Sequence, residues 1–154
     1  METRKIAAIL ESLSEFARGS GLFGEVKVLS NRLVASAAAS AAPAEYRVEV
    51  DGDSIDVGLF MKDRWLSHSI EADLLNTGDD LEELLEEELV EVGYSGPALT
   101  IDHYRNDEKM FAFRSRTGIK LTEQGAEEKV RKVLTAYEAC FRPLGDMHQE
   151  GDDE

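Results

Sequence analysis

Tyr46-Arg47-Val48-Glu49-Val50-Asp51-Gly52-Asp53-Ser54-Ile55-Asp56-Val57-Gly58-Leu59 decides the fold. Tyr46, Val48 and Val50 alternate with Arg47, Glu49 and Asp51, the period-two signature of a half-buried strand. Asp51-Gly52 suits a tight hairpin, because both central positions of a type I′ turn need positive φ. Ile55, Val57 and Leu59 then return on one face, with Ser54, Asp56 and Gly58 on the other. After the polar break Lys62-Asp63-Arg64, the alternation of Leu66, His68 and Ile70 reads as a further strand. The three runs make an antiparallel meander.

Working outward toward the N-terminus, the chain first meets Ala35-Ser36-Ala37-Ala38-Ala39-Ser40-Ala41-Ala42-Pro43-Ala44. Alanine favours helix but offers little apolar bulk for docking one, so residues 35–44 read as a mobile connector or marginal helix. Val26 and Val28, within residues 25–34, share one face of a short strand. Residues 2–18 form an amphipathic helix, with Ile6, Ile9, Leu10, Leu13, Phe16 and Ala17 in an arc of ~120°. Gly19, Gly21 and Gly24 end it.

Working outward toward the C-terminus, Thr77-Gly78-Asp79-Asp80 resembles a capping box before a second helix with Leu81, Leu84, Leu85 and Leu89 as its apolar stripe. Glu86, Glu87, Glu88 and Glu91 crowd the end of that helix where the dipole disfavours anions, so it requires tertiary or partner contacts. Leu99, Ile101 and His103 start a second hairpin that turns at Asn106-Asp107-Glu108 and returns through Met110-Phe111-Ala112-Phe113. A last helix opens near Thr122 and carries Ala126, Val130, Val133, Leu134, Tyr137, Cys140 and Phe141 on one stripe. The fold class is therefore α+β, an antiparallel sheet of a three-strand meander plus a hairpin, with element order α-βββ-α-ββ-α. Residues 1–145 read as a single domain, and 146–154 as a disordered acidic tail.

With 32 acidic against 17 basic residues, the chain carries a formal net charge of −15. Nucleic-acid backbones would be repelled, because binding them needs clustered Lys and Arg. The charge reads as a solubilising coat, as a surround for a basic or aggregation-prone partner, or as a mimic of nucleic acid. Cys140 is the one cysteine, so no intramolecular disulfide forms and the cytoplasm is the expected compartment. The apolar run 6–10 is too short for a secretory signal, and no stretch approaches the ~20 apolar residues of a membrane span.

Catalytic chemistry has little support at this level, and the chain reads as no enzyme. His68, His103 and His148 are too widely spaced, with one cysteine, to suggest a zinc site. No metal or cofactor is expected. Asp51-Gly52-Asp53-Ser54-Ile55-Asp56 lacks the sixth-position glycine of a calcium loop. No serine sits in a nucleophile-elbow sequence, and no phosphate-binding glycine pattern occurs. The aromatic residues are more informative. Phe60, Trp65, Phe111 and Phe113 lie on or beside strand patterns, and apolar groups fall on both strand faces. One face packs on helices; the other meets a partner protein, or is covered by long charged side chains and the Ala-rich stretch. Phe60, Trp65, Phe111 and Phe113 are the candidate partner-binding residues.

The element order, the strand pair 46–59, the acidic leucine helix Leu81-Glu82-Glu83-Leu84-Leu85, the strand Gly96-Pro97-Ala98-Leu99-Thr100-Ile101-Asp102 and the closing helix 130–141 together resemble the class I type III secretion chaperones and the related YbjN-type regulators. The resemblance covers about residues 2–145 and implies a homodimer that cradles an extended client segment along its sheet and helix surfaces. It makes Leu84, Leu85 and Leu89 candidate dimer contacts. The implied function is a non-catalytic protein-binding module; the alternatives are a regulatory or adaptor domain of the same fold, or a small-molecule enzyme.

Overall fold

The computed structural model describes residues 2–147 apart from 30, 39, 41 and 97. It is an α+β fold: α1 (Glu2–Ser20), β1 (Phe23–Leu29), β2 (Arg32–Ala37), β3 (Ala44–Asp51), β4 (Ser54–Met61), α2 (Arg64–Thr77), α3 (Leu81–Glu91), β5 (Asp102–Arg105), β6 (Phe111–Lys120) and α4 (Ala126–Phe141). A short 3-10 turn, Gly145–Met147, follows. The strands form one six-stranded antiparallel sheet in the order β1-β2-β3-β4-β6-β5.

The two strands of the deciding hairpin pair as read, with Tyr46, Val48 and Val50 opposite Leu59, Val57 and Ile55. Asp51, however, pairs with Ser54, so the central turn residues are Gly52-Asp53 rather than Asp51-Gly52, and Asp53 lacks the positive φ of a type I′ turn. Gly52 supplies the positive φ of the turn. The meander extends on the other side from the one read in the sequence. Residues 25–34 are parts of two strands, since Leu29 pairs with Arg32 in a tight hairpin. The Ala-rich stretch is partly sheet: Ala35 stands opposite Tyr46 and is fully buried, and Ala44 opens β3. Small side chains suit this position, where α1 packs onto β1 and β2.

The run 66–70 is helix α2, not a third strand. Asp63 caps it, its carboxylate accepting from the Leu66 amide at 2.9 Å, and Gly78 closes it in the left-handed region. Leu66, Ile70 and Leu74 satisfy a helical i, i+4, i+8 stripe as well as an alternating one, and the cap decides between them. Thr77-Gly78-Asp79-Asp80 thus serves two helices, with Asp80 accepting from the Glu82 amide at the start of α3.

Residue partners across the sheet define its two faces. Val26, Leu33, Ala35, Tyr46, Val48, Val57, Leu59 and Phe113 share the face that builds the main core with Leu10, Leu13, Val130, Leu134, Tyr137 and Phe141 of α1 and α4. Every α4 stripe residue named from the sequence is buried. Lys132 of α4 donates to the Gly93 carbonyl just beyond α3, placing a cation where the acidic helix needs one. Met147 is buried and Gly145 N donates to Asp73 of α2, so the ordered chain runs past the expected tail boundary at 146. Residues 148–154 lie outside the described residues. No helix among the described residues is long and apolar enough to cross a membrane.

Candidate functional site

The opposite sheet face is polar, with a small satellite of apolar groups. Phe60, Ala112 and Met110, with Tyr104 against them, form a cluster drawn only from strands and the β5–β6 turn. Arg47, 5% exposed, lies over the Phe60 ring at 4.3 Å and donates to Glu45, Glu49 and Glu108, with Met110 Sδ at 3.1 Å. Gly58, between Arg47 and Arg114 in the pairing, leaves the space these side chains need; a Cβ there would sit 2.8 Å from the Phe113 carbonyl oxygen. Hydrogen bonding to Arg47 holds the Glu108 carboxyl below the usual carboxylate range. Burial pushes the Asp56 carboxyl upward despite Arg114 and Arg116. The apolar residues expected on this face are therefore largely covered by charged side chains.

The four candidate partner-binding aromatics separate. Phe60 and Phe113 are both buried, on opposite faces of the sheet, and so are not surface contacts. Their rings are spent under Arg47 in one case and against Phe141 and His103 in the other. Trp65 and Phe111 come together. Trp65, in the first turn of α2, is 73% exposed, and Phe111, half-buried, opens β6. They line a hollow of about 540 Å³ with Arg64, Ser67, His68, Glu71 and His103. One wall is α2 and the other is the start of β6 and the edge strand β5.

Three side chains in this hollow form a hydrogen-bonded line. His103 Nδ1 lies 2.7 Å from Glu71 Oε2, and its Nε2 lies 3.3 Å from Ser67 Oγ. A carboxylate only accepts, so the Glu71 contact places a proton on Nδ1 and leaves Nε2 of the neutral ring as an acceptor for the Ser67 hydroxyl. The imidazole stacks on Phe113 with centroids 4.0 Å apart and planes 8° from parallel, which fixes its tilt. Ser67 and Glu71 are four apart on one helix face, a spacing visible only once 66–70 is read as helical. His103 comes from a strand distant in sequence and had no local signal.

The candidate dimer leucines also separate. Leu85 and Leu89 are buried in the core, where α3 packs on α4, so these side chains are consumed within the chain. Leu84 is partly buried against that core, and Val90 is the large apolar residue that α3 exposes. Burial pushes the Cys140 thiol up to about 12, consistent with apolar filler. Among the described residues no cluster of His, Cys, Asp and Glu is arranged to hold a metal.

No family model and no curated protein matches the chain. Among solved structures it is similar to an uncharacterized protein from Methanothermobacter thermautotrophicus, with 10% sequence identity, 86% of this chain and 93% of that chain covered, and a TM-score of 0.35.

Proposed function

We propose that the chain is a protein-binding module, similar in task to the type III secretion chaperones, that holds an extended segment of a partner protein against its sheet edge. The observation that carries this reading is Trp65: a large ring, 73% exposed, beside Phe111 in a hollow bounded by β5, the edge strand of the sheet among the described residues. Tryptophan on a surface is costly to leave in water and is a common anchor of binding energy. An edge strand adds unpaired backbone groups that an extended segment satisfies. The net charge of −15 favours a segment that is basic rather than acidic. In a homodimer, implied by the family resemblance, α3 would offer Leu84 and Val90 as apolar contacts, because Leu85 and Leu89 are buried. We place this activity in the cytoplasm, in keeping with a single, buried, unpaired thiol.

Trp65 is the one tryptophan in the chain, so its fluorescence reports directly on the hollow. Titration with a lysine-rich peptide containing one aromatic residue should shift the emission to the blue. Trp65→Ala should weaken the affinity measured by calorimetry about 30-fold, the loss of a ~2 kcal/mol anchor. Its unfolding free energy should stay within about 0.5 kcal/mol of wild type, as for exposed positions. Unchanged peptide affinity in Trp65→Ala removes the basis of the reading.

A further inference from the structure

We propose that Ser67, His103 and Glu71 form an acyl-transfer site, with Ser67 as nucleophile, His103 as general base and Glu71 as the positioning carboxylate. This goes beyond partner binding and departs from the expectation of a non-catalytic chain. Each link of a carboxylate–histidine–hydroxyl relay is present: Glu71 Oε2 to Nδ1 at 2.7 Å and Nε2 to Ser67 Oγ at 3.3 Å. Such relays are recognised by geometry and role, not by sequence order. The 3.3 Å link is slightly long, as such links often are without a substrate.

The surroundings suit the chemistry. Ser67 is 4% exposed yet lines the hollow beside the more exposed His103 and Glu71, so its hydroxyl meets a group bound there. The ring of His103 is held by Phe113 on one face, so the base does not have to be oriented at the moment of reaction. Ser67 is the fourth residue of α2, and the Asp63 carboxylate and carbonyl take up the amides of Leu66 and Ser67. Helix geometry leaves the amides of Arg64 and Trp65 without an intrahelical acceptor, and both residues line the hollow. The Arg64 guanidinium, on a residue that lines the hollow, is the donor assigned to a developing oxyanion. Trp65 and Phe111 favour an ester with an apolar or aromatic acyl or alcohol group.

In the first step Ser67 Oγ bonds to the ester carbonyl carbon while its proton passes to His103 Nε2. Collapse of the tetrahedral adduct breaks the carbon–oxygen bond to the alcohol, which leaves with that proton. Water then attacks the acyl-serine, gives a proton to His103 Nε2, and releases the carboxylic acid as the proton returns to Ser67 Oγ. Glu71, hydrogen-bonded to Nδ1, orients the ring and stabilises the imidazolium. The sum is ester plus water to acid plus alcohol.

Incubation of the full chain with a fluorophosphonate, followed by peptide mapping, tests the nucleophile without any variant. The expected result is one adduct on Ser67, together with p-nitrophenyl butyrate hydrolysis above the buffer rate. Ser67→Ala should abolish both, and Glu71→Gln should lower the rate ~10²-fold or more by disfavouring the required tautomer and imidazolium. No adduct, an adduct elsewhere, or undiminished hydrolysis in Ser67→Ala overturns the proposal. Partner binding is tested independently, by the loss of peptide affinity in Trp65→Ala, whatever the fluorophosphonate result.

Discussion

Asp56 shows how a single residue on the polar sheet face trades burial against charge. Its carboxylate is buried, and Arg114 Nη1 stands 3.5 Å away. Burial outweighs the attraction of Arg114 and Arg116, so the folded-state pKa lies above the ordinary value. A raised carboxyl pKa means that folding favours the protonated form. The contribution is favourable below the unfolded pKa and is lost as pH rises through the folded one. Asp56→Asn should therefore raise the urea midpoint at pH 7, and the gain should shrink toward about pH 3, where the wild-type carboxyl is itself protonated. Paired urea titrations at the two pH values check this; a lower midpoint at pH 7 would mean that the Arg114 pairing dominates. Glu108 has the opposite sign. Its depressed pKa adds stability above the usual carboxylate range that is lost on acidification, but its half-exposed side chain makes that contribution small.

At the scale of elements, the sheet is joined to α4 by a buried pair. Tyr137 Oη lies 2.6 Å from Ser115 Oγ, and Ser115 donates to the Thr100 carbonyl, so the phenol is the donor to Ser115. Tyr137→Phe removes that donor from the interior and should cost about 1–3 kcal/mol in equilibrium urea unfolding, with the helical circular dichroism retained. Strands and helices with one dominant period were legible in the sequence. The hairpin 46–59 alternates cleanly around Asp51-Gly52, and the α4 stripe recurs at helical spacing over four turns. Residues 66–70 were not, because Leu66 and Ile70 fit both periods and the answer lay in the Asp63 cap before them. That one element carried the site with it. On a strand, Ser67 and Glu71 share a face but stand too far apart to hold one ring; on a helix they are neighbours. The burial of Phe60 under Arg47 was equally hidden, since it needs Gly58 and residues of four strands and a turn brought side by side.

At the scale of the whole molecule, helices and hydrophobic core occupy one sheet face, while the other is dressed by alternating arginines and carboxylates. Local pairing there does not neutralise the chain, which keeps a net charge of −15. That excess acts on two processes with opposite signs. Self-repulsion among acidic groups opposes the compact state, whereas the same field draws in a basic segment. Salt screens both, with a Debye length of ~30 Å at 0.01 M and ~8 Å at 0.15 M. Raising sodium chloride across that range should therefore raise the unfolding midpoint in thermal melts. It should simultaneously lower the association rate for the lysine-rich peptide in stopped-flow fluorescence of Trp65, with a smaller effect on dissociation. A neutral peptide with the same aromatic residue should show little salt dependence. If salt weakens folding and peptide association together, local ion pairs such as those of Arg47 outweigh the net charge, and the acidity is structural before it is a surround for a partner.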